Sequence, residues 1–392
     1  MKVMTAMYTM KKGGAYDRFL MMIEAFLEKG WEVHCLSLTP IQIRSPFFNN
    51  HVIRLPFHLN NHTLTRISVL ILFPFYTLFV GWREKIDLFI AFNSLYAFIQ
   101  AMSKWILKKP MVTLIRGDFA FGLKMQDSFK SLLWLNKAVE YLGLIASDRI
   151  LTVNTDIKGK VLRVIGSRKN IDVEIFFNNI LVSNHSTPIE RMAIRNLYAI
   201  PEDAKVLVTA GVLNRGKNIE VLLKSLPKIG IKNLFLFIIG DGSTKEDTPY
   251  LENLKEVTKE LGLEKMVIFT GWLQKEEMWR IFRGADLFIL SSLNEGMPNV
   301  LLEALGLDLP CLGSKISGIE DILQHEGLMF DPRNEAAIAD KVRQFFSDDQ
   351  HSKNVIQLCR ERKKTFVFDW KERAFQMVTQ RPFRRGKACQ SR

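Results

Sequence analysis

Residues 291–305 read S-S-L-N-E-G-M-P-N-V-L-L-E-A-L: two serines closing an apolar run, a glycine-proline turn, then an apolar helix. Proline suits the first turn of a helix, because the amide hydrogen it lacks would have no partner there and its φ is already helical. The stretch therefore predicts a strand end and a glycine-proline turn at Gly296 into an apolar helix, with Met297, Pro298, Asn299 and Val300 at the helix start. Amides that open a helix have no intrahelical acceptor and carry the positive end of the helix dipole, so this turn suits an anion. Glu295 and Glu303 flank it, and ionised carboxylates accept hydrogen bonds from sugar hydroxyls. A phosphate site beside hydroxyl-binding carboxylates is what a nucleotide-sugar requires. An ordinary helix start with solvated glutamates would read the same in isolation, so the rest of the chain has to decide.

Working outward, short β-branched and apolar runs alternate with helical stretches along the whole chain, which predicts α/β architecture with parallel sheets covered on both faces. The first series of strands reads K-V-M-T-A-M, W-E-V-H-C-L-S-L, H-V-I-R-L, D-L-F-I-A-F, M-V-T-L-I-R, R-I-L-T-V-N and V-E-I-F-F-N, with helices at 16–29 and 129–145 among others. A second series opens at Lys205 with K-V-L-V-T-A-G and continues through L-F-L-F-I-I-G, M-V-I-F-T-G, D-L-F-I-L-S-S and P-C-L-G-S. Two series imply two doubly wound, Rossmann-like domains, 1–180 and 181–365, with the polar, proline-containing stretch 178–188 as linker. In the second series the strands end in Gly211, in the I-G-D-G of Gly240, in Gly271, and in Ser291 and Ser292. A single such glycine merely makes a tight turn. Four such loops at the carboxyl edge of one parallel sheet predict a ligand-binding edge.

The bulk numbers set limits. A chain of 392 residues exceeds what one hydrophobic core comfortably supports. Apolar residues make up 47% and charged residues 24%, an ordinary globular balance. Lys and Arg outnumber Asp and Glu 54 to 41, a formal charge of +13 that favours anionic partners. The charges are dispersed, with neither a recognition-helix pattern nor a basic stripe interleaved with aromatics, so nucleic acid is the least favoured of these. Cys35, Cys311, Cys359 and Cys389 match no metal-ligand spacing and imply a reducing compartment. The first residues form too short an apolar run for a secretory signal, so a cytoplasmic location is expected. Residues 67–80, I-S-V-L-I-L-F-P-F-Y-T-L-F-V, are too short for a bilayer span and contain Pro74. They read first as a buried helix and second as a helix lying on a membrane surface, the second supported by flanking Arg66, Trp82, Arg83 and Lys85. No D-x-D occurs and no histidine-carboxylate cluster has ligand spacing, so no metal or other cofactor is expected.

The order G-x-L-x-x-x-K at 211–217, I-G-D-G at 239–242, F-x-G at 269–271 and E-G-M-P-N-V-L-L-E-A at 295–304 resembles the donor half of the retaining, GT-B-fold glycosyltransferases of family 4. The likeness is strong over 200–325 and weaker over the first half, where it rests on Gly13, Gly14 and the strand order. It implies two Rossmann-like domains facing across a cleft, with the C-terminal stretch 366–392 returning to the first. The substrate it implies is a nucleotide diphosphate sugar, from which a hexosyl unit passes with retention and without metal to a saccharide or lipid-linked saccharide acceptor.

Roles follow at the matching positions. Glu303 would bind the vicinal ribose hydroxyls and Glu295 would face the donor sugar. The 297–300 segment would hold the distal phosphate, and Lys217 would neutralise the departing diphosphate. Most relatives place an arginine directly after the strand glycine; Val212 stands there, and Arg215 is the substitute. Trp272 would stack on the base or pack under its loop. Gly13 and Gly14 would admit backbone close to the phosphates. Arg116, Gly117 and Asp118 occupy the place where relatives often carry a histidine, with Asp118 read as either an acceptor-side base or a helix cap. Rival readings are a nucleotide-sugar epimerase of the same fold and a binding module without turnover. A dehydrogenase is disfavoured because no G-x-G-x-x-G follows the first strand.

Overall fold

A computed structural model describes residues 1–8, 14–55, 62–117, 130–166, 171–181, 188–242 and 248–380. The chain divides into two compact units, 1–177 with 369–392, and 178–368.

In the first unit, β1 (Lys2–Met7), α1 (Gly14–Glu28), β2 (Glu32–Ser37), β3 (Phe48–Val52), α2 (His62–Arg83), β4 (Leu88–Ala91), α3 (Ser94–Leu107), β5 (Met111–Ile115), α4 (Lys130–Ala146), β6 (Arg149–Thr152), α5 (Thr155–Ile165) and β7 (Asp172–Ile175) follow one another. The strands form a seven-stranded sheet in the order β3-β2-β1-β4-β5-β6-β7, and every pairing is parallel. Central strands such as β4 and β5 are buried along their whole length, as a parallel sheet covered on both faces requires. The third strand, expected at 51–55, instead occupies Phe48–Val52. That edge position tolerates the polar run F-N-N-H-V because Asn50 bonds the Cys35 carbonyl and the Ser37 hydroxyl through its side-chain amide, at 3.0 and 2.8 Å.

The second unit contains α6 (Pro188–Leu197), β8 (Lys205–Ala210), a 3-10 turn at Arg215–Lys217, α7 (Ile219–Ile229), β9 (Leu234–Ile239), α8 (Thr248–Glu260), β10 (Val267–Gly271), α9 (Lys275–Gly284), β11 (Leu287–Leu290), α10 (Asn299–Gly306), β12 (Cys311–Ser314), α11 (Ser317–Leu323), β13 (Met329–Phe330), α12 (Glu335–Ser347) and α13 (Asp349–Thr365). Its parallel sheet runs β10-β9-β8-β11-β12-β13, so the order reverses direction at β8. Strand β13 leaves no mark in the sequence, because its two residues are too few to show a period.

The last helix, α14 (Trp370–Thr379), belongs to the first unit. Trp370 is buried and stacks on Phe176 at 4.9 Å between ring centroids, and burying such a side chain contributes about 1.5–3 kcal/mol or more. Arg149 donates to the Met377 carbonyl at 2.6 Å, and Lys29 pairs with Glu372 at 2.6 Å.

Cys35, Cys311 and Cys359 are free, buried thiols, and burial pushes Cys35 well above the ordinary thiol range. Cys389 lies outside the described residues.

His34 on β2 and His51 on β3 stack, with Nδ1 and Nε2 3.0 Å apart. Burial lowers both pKa values, and the proximity of His34 lowers His51 further. Below about pH 6.5 the unfolded chain therefore takes up protons that the folded sheet edge resists, so stability present above that pH is lost as the solution is acidified. Calorimetric melts from pH ~7.5 to ~5.5 should show the first unit's transition falling, and His51→Gln should flatten that slope.

Candidate active site

The site residues of the second unit gather at the carboxyl edge of its sheet. Gly211, Gly240 and Gly271 end the neighbouring strands β8, β9 and β10 with φ of +147°, +133° and +69°, conformations that side chains disfavour. The Gly240 amide donates to the Gly271 carbonyl and the Gly211 amide to the Ile239 carbonyl, both at 2.9 Å. A Cβ on Gly240 would lie 1.9 Å from the Gly211 carbonyl oxygen, so these two backbones touch where no side chain fits.

The Lys217 side chain folds over Gly211: a Cβ there would meet its Cε at 3.0 Å and its Nζ at 3.1 Å. The ammonium pairs with Glu295 Oε1 at 2.6 Å, and the Ser292 hydroxyl donates to the same oxygen at 2.8 Å. Thus two residues read as separate ligands for phosphate and for sugar are partners in the chain itself. Neither is fully withdrawn from solvent, with side chains 16% and 14% exposed, so the pair is accessible to a ligand. The loops that carry them are tied together. The Ser291 hydroxyl bonds the Lys217 carbonyl at 3.0 Å, and the Leu293 amide donates to Gly216 O at 2.8 Å. Asn218, in the left-handed region that asparagine tolerates, reaches Ser291 O at 3.2 Å and Pro332 O at 2.7 Å. Tyr250 accepts from the Ile219 amide at 3.0 Å, and burial raises its pKa to about 12.

Past the turn, Pro298 caps α10 without a side-chain hydrogen bond. Proline has no N–H, so Pro298 could not donate to an anion at this turn, a correction to counting the whole 297–300 segment as donors. Glu303, one helical turn and more along α10, is buried.

Two residues without a motif of their own hold this turn. Asn178, treated as the start of a linker, is buried and donates to Met297 O at 3.3 Å and Asn299 Oδ1 at 2.8 Å. A Cβ on Gly318, in the first turn of α11, would stand 2.3 Å from Gly296 O and 2.5 Å from Glu295 O. The S-G pair at the start of the I-S-G-I-E-D stretch was the only signal for this approach.

Arg215 is exposed on the 3-10 turn and close enough to Tyr250 to influence its titration. Trp272 is 56% exposed just after β10. Among the described residues no group of three or more His, Cys, Asp or Glu is placed to hold a metal ion.

In the first unit, Arg116 follows β5, donates to the Phe176 carbonyl at 2.8 Å, and lies over the Phe176 and Trp370 rings at 5.7 and 5.8 Å. Burial and neighbouring Arg18 lower its pKa to about 9, which still leaves it charged at neutral pH. Gly14 opens α1 and is exposed. Gly13 and Asp118 lie outside the described residues.

Comparison with known proteins agrees with this fold. Residues 190–362 match the family model of glycosyl transferases group 1. The chain is 27% identical over 274 residues to an uncharacterized glycosyltransferase of Methanocaldococcus jannaschii, covering 68% of this chain and 67% of that protein. It is 27% identical over 211 residues to a lipopolysaccharide core biosynthesis glycosyltransferase of Rhizobium meliloti, covering 53% and 57%. Among solved structures, Anabaena HepE in complex with UDP superposes with a TM-score of 0.76 at 15% identity, covering 96% of this chain and 99% of that one. The match to glycosyl transferases group 1 lies within the unit that carries the glycine edge, the Lys217–Glu295 pair and the α10 turn, and the fold is the GT-B fold of the solved neighbours.

Proposed function

We propose that the chain transfers a hexosyl unit from a uridine diphosphate sugar to a hydroxyl of a saccharide or lipid-linked saccharide, with retention at the anomeric carbon. The work belongs to cell-surface polysaccharide or glycolipid synthesis at the cytoplasmic membrane face. The observation that carries this reading is the Lys217–Glu295 pair, folded over Gly211 beside the uncapped start of α10. The UDP complex of the structural neighbour supports the base, and the lipopolysaccharide relative supports the class of acceptor.

In this reading the bond between the sugar's anomeric carbon and the distal phosphate oxygen breaks, and one to the acceptor oxygen forms on the same face. The acceptor proton passes to the departing phosphate oxygen. Negative charge grows on the diphosphate as it leaves, and the α10 amides with Lys217 and Arg215 stabilise it more in the transition state than before. Glu303 takes the two ribose hydroxyls, one on each carboxylate oxygen. Glu295 orients the sugar while it positions Lys217. Trp272 offers its exposed ring to the base. Gly13, Gly14, Arg116 and Asp118 keep the roles inferred from the resemblance, and the proposal does not depend on them.

Thermal-shift screening should show uridine diphosphate raising the melting temperature, and Glu303→Gln should weaken it by about 10- to 100-fold, the cost of a lost charged hydrogen bond. With radiolabelled donor and a chelator present, slow donor hydrolysis is expected. Tight binding with no breakdown would mark a binding module instead, and turnover that dies with chelation would overturn the metal-independent reading.

A further inference from the structure

In the first unit, α2 runs unbroken through Pro74 and lays a row of large apolar side chains on solvent. Ile67, Ile71, Phe75 and Phe79 recur every four residues and Trp82 extends them; they are 48%, 57%, 63%, 52% and 68% exposed. The opposite face, with Val69, Phe73, Thr77 and Val80, is buried. Half the surface of this helix therefore contradicts the expectation of a buried one. The end of α3 adds to the row. Thr77 Oγ1 lies 2.8 Å from Ser103 Oγ, and a Cβ on Gly81 would meet Leu107 at 2.9 Å, so the two helices run side by side to neighbouring carboxyl ends. There Trp105 and Ile106 are 51% and 58% exposed.

The same end is basic. Lys85 and Lys108 terminate the two helices in left-handed conformations, φ 55° and 53°, where glycine is the usual residue. Both are exposed, and neither is in an ion pair among the described residues.

We propose that this face seats the first unit on an anionic lipid bilayer. The aliphatic and aromatic row enters the boundary between headgroups and acyl chains, and Lys85 and Lys108 meet lipid phosphates. No helix among the described residues is long and apolar enough to cross a membrane, so the contact is with one leaflet. Tryptophan beside lysine at one end of an apolar row matches the chemistry of a headgroup layer. A second copy of the chain is the poorer occupant, because symmetric pairing would bring these uncompensated lysines together on a chain already carrying +13.

The surface lies wholly outside the donor-binding unit, so the test separates the two readings. The full chain is floated with vesicles of phosphatidylcholine alone or with phosphatidylglycerol, and uridine diphosphate affinity is measured on each variant. The wild type should co-float with the anionic vesicles, less so as salt rises. Lys85→Ala with Lys108→Ala, which leaves the apolar row in place, should weaken binding about 25-fold. Phe75→Ser with Phe79→Ser should weaken it on the order of 100-fold or more. Nucleotide affinity should stay unchanged in both. Absence of co-flotation at low salt, co-flotation undiminished by either pair, or a lipid-free dimer that Phe75→Ser with Phe79→Ser dissolves would each overturn the proposal.

Discussion

Lys217→Ala should lower turnover of a uridine diphosphate sugar by roughly 10²- to 10³-fold, with kcat and kcat/KM falling together, because in the proposed reaction its ammonium acts chiefly on charge that develops as the diphosphate departs. The geometry sharpens this expectation. The Nζ is held 2.6 Å from Glu295, whose oxygen is held in turn by Ser292, so the cation is pre-placed before any ligand arrives. Preorganisation is where electrostatic catalysis gains its size, since no reorientation is required at the moment of reaction. Glu295→Gln keeps the shape and the hydrogen bond from Ser292 but removes the counter-charge. It should raise KM through a looser lysine and a less well-oriented sugar, with a smaller effect on kcat than Lys217→Ala. Steady-state kinetics on the purified variants decides the matter: an unchanged kcat in Lys217→Ala would remove the lysine from the chemistry.

Gly240→Ala should be the most damaging single methyl group in the second unit. Its φ of +133° lies where only glycine is comfortable, and the new Cβ would sit 1.9 Å from the Gly211 carbonyl oxygen, far inside contact distance. Backbone strain of this kind costs about 1–3 kcal/mol, and the overlap forces the ends of β8 and β9 apart on top of that. A loss of about 3 kcal/mol or more corresponds to a fall of roughly 6–12 °C in the melting temperature of a unit this size. Calorimetry should show the second unit's transition moving while the first unit's stays in place. Separation of the strand ends also shifts Gly211 from beneath Lys217, so uridine diphosphate binding should weaken even at temperatures where the unit is folded. An unaltered transition would mean that the loop yields freely, and the close approach would then be incidental to the site.

The wound architecture and the glycine-lined carboxyl edge of the second sheet were legible because both depend on short-range chemistry. Continuous apolar runs such as L-F-I-L mark buried parallel strands, glycine ends them where φ is positive, and Pro298 announces the helix after the turn. The third strand was misplaced because an edge position relaxes the burial that makes a strand visible, and its asparagines are satisfied sideways by β2. Helix α2 passes through Pro74, a residue whose cost depends on the local helix and not on identity alone.

Residue order along this chain dictated which strands form, where glycine must stand, and that a proline-opened helix follows β11. It had no means of showing that Lys217 and Glu295, 78 positions apart, hold each other, that Asn178 braces the turn before α10, or that Gly318 lies against the Glu295 backbone. Those contacts exist only once the loops of β8 and β11 share an edge, because a hydrogen bond or a van der Waals contact acts over a few ångströms of space and is blind to separation along the chain. The exposed face of α2 was likewise settled by packing: the sequence shows one apolar run over 67–80, and packing against α3 determined which of its residues would be covered.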